Sequence, residues 1–354
     1  MTFDNEVSSR RDMIKNISFG RNKSLAVDLG NTNTMVGDAE NVLLSQPSCI
    51  VFNTLNNSVK AVGSKAYEMF EKTHDDLKPV KPLRGGVIAD YQSASRLIEE
   101  LIHRVCSVSW FGSFDTIITG VPYHTTEVER RALRDAMEQF TARRHYLIYE
   151  PVAAALGLGL NIQAPEGKLV LDIGGGIAEI VVISLSGVAA FQSLKVAGDS
   201  FDMAIQDHFR RNYNMAIGMK TAEQVKIQVG SVIPNLENPP EPMLVRGKDL
   251  ITGIPMIRKI DHCEVSEILD KSVTSVEHSI VQTLETCPPE LAADIYESGL
   301  FVTGGGAMLR GLKPRLESRI NLKVHIDNDA MYAVTRGIST VLKNPKKYSG
   351  LLFD

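Results

Sequence analysis

The run Leu169 to Ile180, LVLDIGGGIAEI, leaves an apolar stretch through an aspartate and three consecutive glycines and then enters a second apolar stretch. It reads as a strand, a tight turn and a returning strand, because glycine permits the reversal and β-branched neighbours favour extended chain. The same plan occurs earlier at Ser24 to Thr34, SLAVDLGNTNT. A third run, Leu300 to Leu309, LFVTGGGAML, leaves a strand through three glycines and enters a helix. A hairpin turning through Asp-x-Gly exposes successive backbone N–H groups, and such nests bind anions without needing a particular side chain. Two facing hairpins would clamp a polyphosphate from both sides. Asp28 and Asp172 would then hold Mg²⁺ through water, since that ion keeps much of its hydration shell. A single Asp-Gly pair is an ordinary turn, but two copies together with Gly304 to Gly306 point to one phosphate cradle.

At 354 residues the chain exceeds the length at which one core usually splits, ~250–300 residues, so two lobes are expected. Hydrophobic residues at 44% and charged residues at 23% argue for a folded globular chain rather than disorder. A net charge of −4 gives no electrostatic footprint for nucleic acid. Cys49, Cys106, Cys263 and Cys287 lack the paired spacings of zinc or disulfide frameworks and read as thiols in a reducing cytoplasm. No run approaches a spanning helix, and residues 1–23 lack a signal peptide's apolar core, so a cytoplasmic location is expected. In that segment Arg10, Arg11, Lys15, Arg21 and Lys23 interleave with Met13, Ile14, Ile17 and Phe19. Two readings stand: a frayed polar terminus, or a short basic amphipathic helix on an anionic membrane surface.

The periodicity along the chain is α/β. Strands are expected at Leu25 to Asp28, Thr34 to Val36, Val42 to Leu44, Ser48 to Phe52 beyond Pro47, and Val59 to Val62. Helices follow at Ser64 to Phe70 and Gln92 to Arg104, then a strand at Asp115 to Gly120. Thr126 to Phe140 is a helix, opened by Thr126 and Glu129 as a capping box, with Val128, Ala132, Leu133, Ala136, Met137 and Phe140 on its apolar face. Tyr146 to Tyr149 is a strand, and Pro151 suits the first turn of the next helix. Glu150 lies between them. There a carboxylate could face a cleft and accept a proton from water, or cap the helix, a place where Glu is not favoured. The second half repeats this order: a hairpin at Leu169 to Leu185, a strand near Val188 to Val196, and helices at Ser200 to Asn212 and Thr221 to Val229. An irregular stretch from Pro234 to Pro255 precedes a long helix from Val265 to Leu284, ended by Pro288 and Pro289. The triple-glycine turn and a helix from Ala333 to Leu342 complete an imperfect duplication.

With these motifs the chain resembles the actin, sugar kinase and heat-shock ATPase superfamily, and within it the MreB family of bacterial actins, over nearly everything after residue 23. DLGNTNT at Asp28 to Thr34 resembles the first phosphate motif, DIGGGIAEI at Asp172 to Ile180 the second, and TGGGAMLRGL at Thr303 to Leu312 the adenosine motif. KPLRGGVIADY at Lys81 to Tyr91, GVPYHTTEVERRA at Gly120 to Ala132, YEPVAAALGLGL at Tyr149 to Leu160, GDSFDMAI at Gly198 to Ile205 and TAEQVK at Thr221 to Lys226 also agree.

The resemblance implies a two-lobed actin-like ATPase fold, duplicated ribonuclease H-like domains around a nucleotide cleft. Residues 24–149 with 330–354 would form lobe I and residues 150–329 lobe II. It implies ATP and Mg²⁺ as cofactors. Asp28, Gly30, Asn31, Thr32 and Asn33, Gly174, Gly175 and Gly176, and Gly304, Gly305, Gly306 and Ala307 would surround the nucleotide. Glu223 and Lys226 would meet ribose and adenine; the other reading of that pair is an i,i+3 surface ion pair worth ~0.2–0.5 kcal/mol. Glu150 would orient the attacking water, and Asp172 would serve both catalysis and the metal. The implied role is a self-assembling filament of paired protofilaments at the inner face of the cell membrane. It would organise wall synthesis and rod shape with elongation proteins such as MreC, MreD and RodZ.

Two departures qualify this. Ile177 and Ala178 stand where the family usually has two threonines, and removing a donor aimed at developing charge can cost ~10²–10³ in rate, so slow hydrolysis is expected. Asn31-Thr32 stands where the family often has Thr-Ala, and the Thr32 hydroxyl is placed to compensate. Trp110 and Phe111, in SVSWFGSF, fit either a lipid-contacting loop or a buried loop anchor. His124 and His278 have no second ligand at helical spacing and are expected to pack or face solvent. The competing functions are a small-molecule, sugar-type kinase of the same fold, and a hydrolysis-poor actin-like paralogue positioning other cargo. A chaperone reading fails for want of a peptide-binding segment after the ATPase core.

Overall fold

The computed structural model describes residues 24–72, 74–105 and 114–354. The basic N-terminal segment, Cys106 and the Trp110–Phe111 pair lie outside these residues. Ten strands build two five-stranded sheets: β1 Ser24–Leu29, β2 Asn33–Gly37, β3 Val42–Pro47, β4 Phe114–Val121 and β5 Ala142–Tyr149 in the first, and β6 Lys168–Ile173, β7 Ala178–Ser184, β8 Gly187–Leu194, β9 Leu300–Thr303 and β10 Val324–Ile326 in the second. Their spatial orders are β3-β2-β1-β4-β5 and β8-β7-β6-β9-β10. In each, the first three strands form an antiparallel meander and the last two join parallel to the first. Identical order and direction in both sheets is the duplication anticipated from the repeated Asp-x-Gly runs, and the fold is actin-like and two-lobed.

The helices are α1 Ser64–Met69, α2 Tyr91–Val105, α3 Glu127–Glu138, α4 Glu150–Gly157, α5 Gly198–Tyr213, α6 Met219–Val229, α7 His262–Glu285, α8 Pro289–Ser298, α9 Leu312–Ile320 and α10 Ala333–Lys343. Each lobe also carries a three-stranded sheet, Ile50–Asn53 with Val59–Val62 and Leu77–Val80 in the first, and Met215–Ala216 with Met243–Asp249 and Pro255–Ile260 in the second.

Four expectations are corrected. Pro47 is the last residue of β3 rather than a break between strands, because a strand end leaves its missing N–H without a ladder partner to lose. Val128 is 79% exposed: the capping box at Thr126 and Glu129 forms as expected, but it puts Val128 in the first turn, beyond the sheet that buries Leu133, Ala136 and Met137. Pro289 does not merely stop the long helix; it starts α8, where its fixed φ suits the first turn. After the triple glycine the chain first makes a short 3₁₀ turn, Gly305–Met308, and the α-helix begins only at Leu312.

One apolar cluster sits between the two sheets and joins them. It contains Ala26, Ile118 and Ile148 of the first sheet, Val170, Val181 and Ile183 of the second, and the inward faces of α4 and α10. The two helices meet almost backbone to backbone. A Cβ on Gly157 would stand 1.8 Å from the Ala333 carbonyl oxygen, and one on Gly337 would stand 1.7 Å from that of Ala153. Neither distance is possible for a real side chain, so each helix supplies a glycine where the other's backbone arrives. Beside this joint the chain's end returns to the first sheet, Phe353 exchanging backbone hydrogen bonds with Leu147 of β5. In the second lobe, α9 is tied to α7 through Arg315, whose Nε donates to Glu277 at 2.5 Å and whose Nη1 donates to the Val232 carbonyl at 2.9 Å. Both charged side chains are buried.

Candidate functional site: a cleft between two equivalent glycine turns

The turns that follow β1 and β6 are the same turn. Gly30 N–H donates to the Asn33 carbonyl at 3.1 Å, and Gly174 N–H donates to the Ile177 carbonyl at 3.0 Å. Each is held from behind. The Ser48 hydroxyl donates to the Gly30 carbonyl at 2.5 Å, and Ser48 N–H to the Thr32 carbonyl at 2.8 Å. In the second turn the Gly174 and Gly175 carbonyls accept from Gly198 N–H at 3.1 Å and Asp199 N–H at 2.7 Å, the first amides of α5. With their carbonyls occupied, the turns are free to present N–H groups forward.

The two turns also touch. A Cβ on Gly175 would meet Thr32 Oγ1 at 2.1 Å, and one on Gly176 would meet Asn31 Nδ2 at 2.3 Å. Asn31, only 6% exposed, spans the junction: its Nδ2 donates to Asp199 at 3.1 Å and its Oδ1 accepts from Gly86 N–H at 2.9 Å. The third glycine turn closes the floor. Gly304 has φ +81°, and a Cβ there would lie 2.3 Å from Asp172 Oδ1.

A cavity of about 500 Å³ opens between these turns and draws walls from both lobes. Asp28, Gly30, Asn31, Thr32 and Asn33 line it from the first turn, Asp172, Gly174 and Gly175 from the second, and Gly304, Gly305 and Gly306 from the third. Glu150, Glu223 and Lys226 line it as well. Two expected positions do not. Gly176 turns its open side to the Asn31 amide, and Ala307 is buried in the second lobe's core by the 3₁₀ turn. The sequence reading assigned no role to Gly198, Phe201 or Arg310, which also line the cavity. All three lie inside the runs GDSFDMAI and TGGGAMLRGL, so the motifs located them without saying which side chains faced inward.

Three buried carboxyls, Asp28, Glu150 and Asp172, line the cavity, and Glu179 lies close enough to act on them. Burial, then the neighbouring charge of Asp172, pushes Asp28 up to about 7, against the Thr335 hydroxyl that favours its charged form. Burial pushes Asp172 up to about 6. Glu150 is raised by burial and then by Asp28, Glu179 and Asp172. Glu179, on β7, is pushed up to about 8 by burial and by Asp172, opposed by the backbone N–H groups of His124 and Tyr123. Acids buried this close together raise one another, because each disfavours a second negative charge nearby. Among the described residues no three His, Cys, Asp or Glu side chains form a ready metal cage. Two carboxylates facing an open cavity suit an ion that keeps its waters, which is the habit of Mg²⁺.

Glu150 is the first residue of α4, and the cap position belongs to Tyr149. The glycine at position 120 in β4 makes room for it, a Cβ there lying 3.1 Å from Glu150 Cγ. Glu223 and Lys226 are not paired with each other. Lys226 Nζ donates to the Gly198 carbonyl at 3.0 Å and to Asp202 at 2.9 Å, whereas Glu223 accepts from the Tyr67 hydroxyl of the opposite lobe. Ile177 packs on the loop at Gly86, where a Cβ would lie 2.8 Å from its Cδ1, and Ala178 is wholly buried at the start of β7. His124 lies near the Phe191 ring and His278 faces solvent.

The family model described as MreB/Mbl protein matches residues 22–350. The chain is 36% identical over 347 residues to the cell shape-determining protein MreB of Escherichia coli strain K12, covering 97% of this chain and 99% of that one. It is 34% identical over 326 residues to the cell shape-determining protein Mbl of Bacillus subtilis strain 168, covering 92% and 97% respectively. Among solved structures, MreB 5 of Spiroplasma citri bound to AMPPNP superposes with a TM-score of 0.88 at 34% identity, covering 94% of this chain and 99% of that one.

Proposed function

The chain belongs to the MreB/Mbl family, and from that membership we propose that it is a cell-shape cytoskeletal protein that binds ATP with Mg²⁺ in the cleft and polymerises. The observation that carries this reading is the pair of identical glycine turns, one from each lobe, in contact across a cavity of about 500 Å³. That arrangement suits a polyphosphate gripped by backbone amides of both lobes. It also makes the relative position of the lobes depend on what is bound. The lobes would be residues 24–149 with 330–354, and residues 150–329; the packing of α10 on β1 and β4 supports returning the C-terminal segment to the first lobe.

Asp28 and Asp172 would hold Mg²⁺ through water, and the ion would supply positive charge to the phosphate oxygens. Glu150, raised by burial and by its acidic neighbours, would orient a water at the cavity floor and accept its proton. Ile177 offers that floor no hydroxyl and fills the space against Gly86, which supports slow hydrolysis. Filaments would run along the inner face of the membrane in concert with wall-elongation proteins such as MreC, MreD and RodZ. The Trp110–Phe111 loop or the basic N-terminal segment would provide the membrane contact, and liposome flotation of Trp110→Ala/Phe111→Ala distinguishes them: lost binding assigns the loop, retained binding the terminus.

Electron microscopy and pelleting with ATP and Mg²⁺ test the main reading. Filaments that depend on nucleotide are expected; absence of polymer together with sugar-dependent ADP production would replace it with a small-molecule kinase.

A further inference from the structure

Above the cavity the two lobes meet again. Helix α6, which carries Glu223 and Lys226, begins after Gly218 and has no side-chain cap of its own. The cap comes from the other lobe. Glu71 Oε1 accepts from Met219 N–H at 2.8 Å and Oε2 accepts from Lys220 N–H at 3.3 Å. A Cβ on Gly218 would lie 2.3 Å from Glu71 Oε2, so the glycine leaves the space that the carboxylate fills. A carboxylate at this end also complements the helix dipole. Glu71 holds a left-handed backbone, φ 63°, uncommon for a residue with a side chain. Four residues earlier, the Tyr67 hydroxyl donates to Glu223, and Lys220 Nζ returns to the Tyr67 carbonyl at 3.2 Å while sitting 4.7 Å from the centre of its ring. These contacts form one clasp, built from α1 and the residues just after it, and it closes on the helix that walls the cavity.

We propose that Tyr67 and Glu71 are positioning residues of the nucleotide site: they orient Glu223 and fix the start of α6, so that bound nucleotide leaves at a rate set by the opening of this clasp. The inference rests on the reading that the cleft binds nucleotide. Its physical basis is that the first two amides of α6, and the Glu223 carboxylate, have these partners only when the lobes are together. An opened clasp leaves two helix amides and a carboxylate without those partners, and the pocket wall loses its support.

The test is stopped-flow release of a fluorescent ATP analogue, with Mg²⁺, chased by unlabelled ATP from the full-length chain. Tyr67→Phe removes one hydrogen bond to a charged group and is expected to speed release ~10-fold or more, and Glu71→Ala ~2–10-fold. Glu71→Gln, which keeps one acceptor oxygen, should recover part of the loss. Association rates should stay near the wild-type value, so that the loss of affinity is carried by release, a separation that general destabilisation would not give. Lys220→Met, at the edge of the clasp, gives an independent measure and should also release faster. Release unchanged in Tyr67→Phe and Glu71→Ala, with wild type binding the analogue, overturns the clasp alone. Failure of wild type to bind the analogue overturns the nucleotide reading and this inference with it.

Discussion

Glu179 shows how much a single buried acid contributes at this site. Its carboxyl accepts from Tyr123 N–H at 2.9 Å, joining β7 of one lobe to the loop after β4 of the other. Its pKa is pushed from 4.5 to about 8. A group raised on folding lends stability that is complete below its unfolded pKa and lost as the pH climbs to the folded one. In nucleotide-free protein, Glu179→Gln should therefore melt with wild type below about pH 4 and above it by pH 8.5, the gap opening between; a gap independent of pH would refute the assignment. Ile177→Thr/Ala178→Thr should raise phosphate release ~10-fold or more if missing hydroxyls limit the rate, and unchanged turnover in a phosphate-release assay would place the limit elsewhere. At this scale the sequence was informative wherever backbone carries the role, since Asp-x-Gly and Gly-Gly-Gly leave few alternatives. It was weaker for partners. Nothing in TAEQVK says that Lys226 will turn to Asp202, or that Glu223 will meet a tyrosine 156 positions earlier.

Among the elements, hydrophobic period and capping chemistry located most strands and helices to within a few residues, because each has one face against a sheet. The short strands Leu77–Val80 and Val324–Ile326 escaped them, being too brief to show a period, and Pro289, expected as a stop, also starts a helix. The buried Arg315–Glu277 pair was likewise out of reach, its partners lying 38 residues apart on different helices. Removing one member of a buried pair strands the other charge, so Glu277→Ala should cost ~3–5 kcal/mol in a urea titration. A loss below ~1 kcal/mol would mean that Asp270 compensates, since exposed pairs are typically worth no more than that. Gly337→Ala should cost at least ~1–3 kcal/mol by overpacking the α4–α10 crossing. Gly350, with nothing near its open face, should accept alanine within ~0.5 kcal/mol.

For the whole molecule, the duplication ties function to geometry: the cavity draws lining residues from both lobes, and the lobes touch at the turns below, through the clasp above and along the helix crossing behind. The crossing has a consequence for how such a chain can diverge. Gly157 makes room for the backbone at Ala333, and Gly337 makes room for the backbone at Ala153. Each half of the duplicated chain therefore carries a vacancy cut to the other's main chain, and no side-chain substitution on one helix can compensate for a lost glycine on the opposite one. The halves are free to drift apart in sequence over their outer surfaces, while this seam accepts change only if both helices move at once. A saturation scan for folded protein should find these two positions intolerant even of alanine, amid outward-facing neighbours that accept most residues.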